Sequence, residues 1–199
     1  MARLFLEQTK SILGAGAMRN RTNQLLLVAL FPAMMAATSP ITIPLGFLPP
    51  LTLQTLFVYL AGLILPWNLA GLSMLIYLVL GAIGLPVFSG MRGGIGVFFS
   101  QSGGFLLAFP FIAILIALLG KLGNSKKSIF YFITVLILST TVLYLLGSMY
   151  ISIVYDISIT AILVGFVVYI PGDIMKIVLA LLLSYRLQRH IHMSGYKYE

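Results

Sequence analysis

Tyr169-Ile170-Pro171-Gly172-Asp173-Ile174-Met175-Lys176-Ile177-Val178-Leu179-Ala180-Leu181-Leu182-Leu183 sets one acid and one base three residues apart in an otherwise aliphatic stretch. A carboxylate and an ammonium buried in such a run are costly in hydrocarbon unless they pair or line a cavity. On a helix, positions i and i+3 share a face, so both side chains can enter one cavity. Asp173 follows Pro171-Gly172, near a predicted helix N-terminus whose dipole and free N–H groups favour an anion. The plain alternative is a salt bridge that only neutralises itself. Against it, two apolar residues would be cheaper to bury than this pair. Asp173 and Lys176 are the leading ligand-contact candidates.

Composition supports a lipid setting for that run. Sixty per cent of the residues are hydrophobic and 8% are charged, with a mean hydropathy of +1.09. A water-soluble domain carries roughly 25% charged residues. The net charge of +8 does not point to nucleic acid, because the basic residues gather at the ends of apolar segments. Absence of cysteine excludes disulfides and thiolate metal sites. Residues 1–24 are interrupted by Arg3, Glu7, Lys10, Arg19 and Arg21 and are not a secretory signal. Leu4, Phe5, Leu6, Ile12 and Leu13 suit a short interfacial helix there.

Hydropathy predicts an all-α integral membrane protein with six transmembrane helices in a single domain, its core over residues 25–189 and a cytoplasmic tail over 190–199. The predicted spans are 25–38, 51–65, 69–83, 105–119, 129–146 and 158–187. Four prolines between Ser39 and Pro50 exclude a regular helix and predict a loop or a segment lying over the protein. A connection is predicted over 150–156, and Pro171-Gly172 is expected to break the last span, whose distal part would start at Asp173. Ten of the twelve basic residues fall before span one, between spans four and five, or from Arg186 at the end of span six onward. The positive-inside rule then puts both termini in the cytoplasm. Lys176 lies ten residues and Asp173 thirteen before the interfacial Arg186, about 15 and about 20 Å along a helix.

Other patterns are weaker. The segment 81–104 holds eight glycines, suiting either close approach of backbone to a ligand or tight helix crossings. It is not a nucleotide loop, since no Gly-x4-Gly-Lys-Ser/Thr occurs in the chain. Ala29, Ala33 and Ala37 recur every four residues, a spacing that lets another helix approach but also serves internal packing. Thr52, Gln54, Thr55 and Tyr59 put polar groups at one end of span two. His190-Ile191-His192 reads as a solvated basic tail rather than a metal site.

Three stretches together resemble the BioY family, the biotin-binding S components of energy-coupling factor (ECF) transporters. They are Leu51-Thr52-Leu53-Gln54-Thr55-Leu56, then Tyr77-Leu78-Val79-Leu80-Gly81-Ala82-Ile83-Gly84-Leu85-Pro86-Val87-Phe88, then Ile170-Pro171-Gly172-Asp173-Ile174-Met175-Lys176. The resemblance implies an S-component-like bundle in the plasma membrane, with outer loops capping a biotin pocket. It also implies docking on a membrane scaffold, the T component, energised by two ATPase subunits. This chain would then need no cofactor and be no enzyme, with ATP used only by its partners. Ala29, Ala33 and Ala37 match the face that meets the scaffold. Where the family usually shows Gly-Pro-Thr/Ser-Gly-Gly-Tyr, this chain has Ser100-Gln101-Ser102-Gly103-Gly104-Phe105, so a tyrosine hydroxyl is missing.

Biotin is an apolar bicycle with a ureido group at one end and a carboxylate tail at the other. Its pocket needs apolar walls, a few donors and acceptors, and a cation. Asp173 can accept the ureido N–H bonds and Lys176 can donate or balance charge. Gln54 and Thr55 add amide and hydroxyl contacts, and Arg92 suits the carboxylate. Gly103 and Gly104 would admit close approach beside Phe105. An intramembrane enzyme and a membrane scaffold or channel are the competing classes. The enzyme would need a nucleophile–base or metal set, and no predicted span contains histidine or cysteine.

Overall fold

The structure, a computed structural model, describes residues 22, 24–122 and 129–193. The predicted interfacial helix therefore lies outside the described residues, as do the basic residues Lys126 and Lys127. Helix α1 covers Gln24–Thr38 and leads into an antiparallel hairpin, β1 Thr42–Leu45 and β2 Leu48–Thr52. Helices α2 Gln54–Ile64 and α3 Trp67–Ala82 follow. A loop with a short 3-10 turn at Ile95–Phe99 leads to α4 Gly103–Leu122 and α5 Ile129–Tyr155. The last helical stretch consists of α6 Ile159–Gly165, a 3-10 turn Phe166–Tyr169 and α7 Ile170–Met193.

Helix length sorts these elements into two groups. Gly103–Leu122, Ile129–Tyr155 and Ile159–Leu187 are long and apolar enough to cross a bilayer, whereas α1, α2 and α3 are shorter apolar helices. The 11 residues of α2 reach about 16 Å at 1.5 Å per residue, about half of a hydrocarbon core. Among the described residues, helix length by itself thus marks three candidate crossings.

The surface is as apolar as the core, unlike that of a water-soluble protein, and a few polar side chains are buried among the apolar ones. Ser73, Ser139 and Ser148 are fully buried, while Phe111, Ile153 and Val164 are 68–78% exposed. Contiguous apolar surface of this kind marks contact with lipid or protein. Ser73 donates to the Val28 carbonyl at 2.7 Å, tying α3 to α1, and Ser148 donates to the Tyr144 carbonyl at 2.7 Å, whereas Ser139 Oγ has no partner among the described residues. Helix α1 turns Val28, Phe31 and Met35 inward and leaves Ala29, Ala33 and Ala37 exposed. Helix α4 lies at the centre, packed against α2, α3 and α5.

Three local expectations are corrected. The proline-rich segment is a β-hairpin rather than a plain loop, closed through Gly46 at φ 64°, a backbone conformation open to glycine at no steric cost. Its prolines are tolerated because a two-stranded sheet has only edge strands. Span two therefore begins at Gln54 and not at Leu51. Helix α5 continues to Tyr155, shrinking the expected connection to Asp156–Ser158. Finally, Pro171-Gly172 does not break the last helix. The irregularity lies upstream in the 3-10 turn, and Pro171 is the second residue of α7. Proline costs nothing in a first turn, where its missing N–H would have no helical partner.

Candidate functional site

Placing Ile170 at the start of α7 puts Asp173 in its first turn, where the dipole supports a carboxylate. One turn on, the Lys176 ammonium donates to Asp173 Oδ1 at 3.2 Å. Both residues are buried, at 7% and 3% exposure. The second carboxylate oxygen, Oδ2, accepts a hydrogen bond from the Tyr144 hydroxyl of α5.

These groups face a cleft walled by β2, α2, α4, α5, the 3-10 turn and α7. The cleft holds about 550 Å³ of atom-free space counting its open mouth, but only about 50 Å³ is wide enough for the centre of a water molecule. Phe105, Phe166, Tyr144 and Tyr169 form an aromatic box. Tyr144 lies nearly parallel to Phe166 at 4.8 Å, and Phe105 and Tyr169 meet Phe166 edge-on at 5.6 and 5.5 Å. Phe105 fits because Gly147 lies under its ring, where a Cβ would come within 2.2 Å of it.

The polar groups around the box are tied to the frame. Tyr59 and Thr140 share a hydrogen bond of 2.7 Å. Gln54 donates to the Tyr77 hydroxyl at 2.5 Å and Tyr77 donates to the Val87 carbonyl at 2.8 Å. The Tyr169 hydroxyl donates to the Pro49 carbonyl and so pins the hairpin against the 3-10 turn. Thr55 Oγ1 is the exception. It is buried, has no hydrogen-bond partner among the described residues, and belongs to a residue lining the cleft. A polar atom left so costs about 1–3 kcal/mol, which a ligand bond would recover.

Of the residues singled out from sequence, Asp173, Lys176, Gln54, Thr55 and Phe105 all line this cleft. Arg92 stands outside the lining. Its guanidinium donates to the Ser89 carbonyl at 3.1 Å and to Ser89 Oγ at 3.4 Å, and Ser89 is itself a lining residue. Gly103 and Gly104 are also outside, and their bare backbone serves packing. A Cβ on Gly103 would come within 1.8 Å of the Phe98 carbonyl oxygen, and one on Gly104 within 2.3 Å of Tyr150 Cβ. The side chains of His190 and His192 lie outside the described residues.

Sequence reading missed Thr140, Tyr144, Phe166 and Tyr169. Thr140 and Tyr144 are spaced i, i+4 on α5 and so share a face, a polar stripe in an apolar run. Tyr169 and Phe166 precede Asp173 by four and seven residues, the same helical spacing.

The BioY family model matches residues 9–193. The chain belongs to the BioY family. It is 39% identical over 171 residues to the biotin transporter BioY of Rhizobium etli, covering 82% of this chain and 91% of that protein. Against the probable biotin transporter BioY of Pyrococcus horikoshii it is also 39% identical, over 168 residues covering 84% and 98%. Among solved structures, it resembles the S component for biotin from an ECF-type transporter with a TM-score of 0.79 and 30% identity, covering 86% of this chain and 93% of that one. The S component of a bacterial ECF transporter shares the fold at a TM-score of 0.54 and 18% identity, covering 89% and 99%. The matching BioY proteins are named transporters, so the intramembrane-enzyme alternative finds no relative among them.

Proposed function

We propose that this BioY-family chain is the biotin-capturing S component of an ECF-type vitamin transporter in the plasma membrane. The observation that carries the reading is the buried Asp173–Lys176 pair opening onto an aromatic cleft. The ureido N–H groups bond to Asp173, and Lys176 donates to the ureido oxygen or balances the acid. Thr55 Oγ1 takes up its missing partner from the ligand, and Gln54 adds an amide contact. The bicycle lies against Phe105 and its aromatic neighbours. At the rim Arg92 swings from Ser89 to meet the carboxylate tail, for which a guanidinium is the suited bidentate partner. Gly103 and Gly104 shape the wall behind this site by admitting Phe98 and Tyr150 rather than touching the ligand.

The same reading gives the chain a multi-pass course with six crossings and both termini in the cytoplasm. The shorter helices α2 and α3 cross packed against α4, with α1 tied to α3 and the outer loops covering the cleft. The exposed Ala29, Ala33 and Ala37 face meets the T component, and two ATPase subunits energise the assembly. Equilibrium binding of labelled biotin to the detergent-purified chain tests the ligand. Saturable binding of one biotin per chain is expected. Absence of binding at micromolar biotin by a folded preparation would overturn the reading.

A further inference from the structure

We infer that Tyr144 is an internal stand-in for the ligand: tied to Asp173, the acceptor the ligand needs, its ring takes the ligand's place on the aromatic wall and narrows the cleft. Three observations converge on this residue. First, both oxygens of Asp173 are engaged by the chain itself, Oδ1 by Lys176 and Oδ2 by the Tyr144 hydroxyl. A carboxylate has about four acceptor positions, so lone pairs are not what excludes a ligand. Space is. The roughly 50 Å³ open to a water centre holds a few waters at about 10–15 Å³ each, and no bicyclic molecule enters unless a lining group moves.

Second, the candidates to move can be compared. Six aromatic rings line the cleft: Tyr59, Phe105, Phe109, Tyr144, Phe166 and Tyr169. All but Tyr144 are buried, at 9% exposure or less, whereas Tyr144 is only half-buried. The Tyr59 hydroxyl is tied to Thr140 and the Tyr169 hydroxyl to the Pro49 carbonyl, so moving either would disturb α5 or the hairpin. Tyr144 is tied only to Asp173, the group the ligand needs.

Third, Tyr144 reproduces the ligand's chemistry. It lays an apolar ring on Phe166 at 4.8 Å with 24° between planes and ends in one donor aimed at Asp173. A compact apolar bicycle ending in ureido N–H groups offers the same two features. Binding then exchanges one O–H···O bond for N–H···O bonds and one ring for another on Phe166, and the acid is never left bare in the low-dielectric interior. The inference takes the identity of the ligand from the proposed function and the latch itself from the geometry.

The test removes the hydroxyl and keeps the ring. Tyr144→Phe is expected to bind labelled biotin at least threefold more tightly than the wild type, because the ring loses its tether to Asp173 and leaves the cleft more readily. Unchanged or weaker binding overturns the inference and makes Tyr144 an ordinary contact or a positioning residue for Asp173. A second measurement needs no biotin: reaction of the ligand-free protein with a hydrophobic carbodiimide, read as modification of the Asp173 peptide by mass spectrometry. Modification should rise at least threefold in Tyr144→Phe, and equal modification overturns the latch. If the wild type binds no biotin, the ligand reading fails and the labelling alone decides the latch. Should Tyr144→Phe misfold, Tyr144→Met, which also lacks the hydroxyl and adapts to irregular packing, takes its place in both measurements.

Discussion

Two openings lie along the seam between α5 and α7, and they differ in almost everything except location. The upper one is the cleft, reached from α5 by Thr140, Leu143 and Tyr144 and from α7 by Asp173 and Lys176. The lower one is a groove lined by Ile129, Phe132, Ile133 and Ile137 of α5 and by α7 from Ile174 to Tyr185, with Leu63 of α2. By the same measure the groove is larger, about 1610 against about 550 Å³. Its one lining serine, Ser184, bonds to its own helix at the Leu181 carbonyl, 3.0 Å away. The groove is lined by no charged side chain, and its other polar residue, Tyr185, is exposed. In the cleft, a charged pair, a tethered tyrosine and an orphaned threonine hydroxyl all need a polar occupant or one another. Polarity, not volume, separates the cleft from the groove.

The strongest challenge to this contrast is removal of the pair. Asp173→Asn or Lys176→Ala should weaken biotin binding at least tenfold in a filter or equilibrium-dialysis assay. Normal binding by both would reduce the pair to a structural salt bridge. The double change Asp173→Leu with Lys176→Met should abolish binding yet leave thermal stability equal or higher, since two apolar residues avoid the desolvation that an ion pair incurs. A fall in melting temperature would show that the pair maintains the fold. Next in size, Gly104→Ala should lower stability by about 1–3 kcal/mol through overpacking against Tyr150, measured by thermal unfolding in detergent. No change would imply that α4 and α5 can separate locally.

Thr55→Val separates an unsatisfied hydroxyl from a decorative one. It should weaken biotin about three- to tenfold, near 1 kcal/mol for one hydrogen bond, while the empty protein becomes no less stable. A variant that binds as tightly as wild type would detach Thr55 from the site. The smallest effect belongs to the groove. Ile133→Trp, which fills part of it, should shift biotin affinity less than twofold; a tenfold shift would show that the two openings communicate.

Much of this site could be read in the chain because burying charge in hydrocarbon is so costly that Asp173 and Lys176 stand out in any reading. Gln54 and Thr55 stood out as polar groups at the end of an apolar helix, Gln54 because a buried amide needs partners. What escaped is what pairs with them. Tyr144 and Tyr169 look like ordinary aromatic residues of a membrane helix until α5 and the 3-10 turn bring their hydroxyls to Asp173 and Pro49. The hairpin was hidden by Pro44, Pro49 and Pro50, which argue against a strand wherever the strand has two neighbours and not where it has one. Gly103 and Gly104 looked like ligand-approach positions, and only the neighbours Phe98 and Tyr150 reveal what their missing side chains make room for.

The sequence by itself determined that this chain lives against lipid and that one acid and one base share a helical face in the apolar interior, because hydropathy and the 3.6-residue period act locally. Its family followed from short motifs at fixed order and spacing. Tertiary structure alone decided which side chains meet that pair, how narrow the cleft is and which ring fills it. Those contacts join residues as far apart in the chain as Pro49 and Tyr169, and no local property of either residue encodes the other's position.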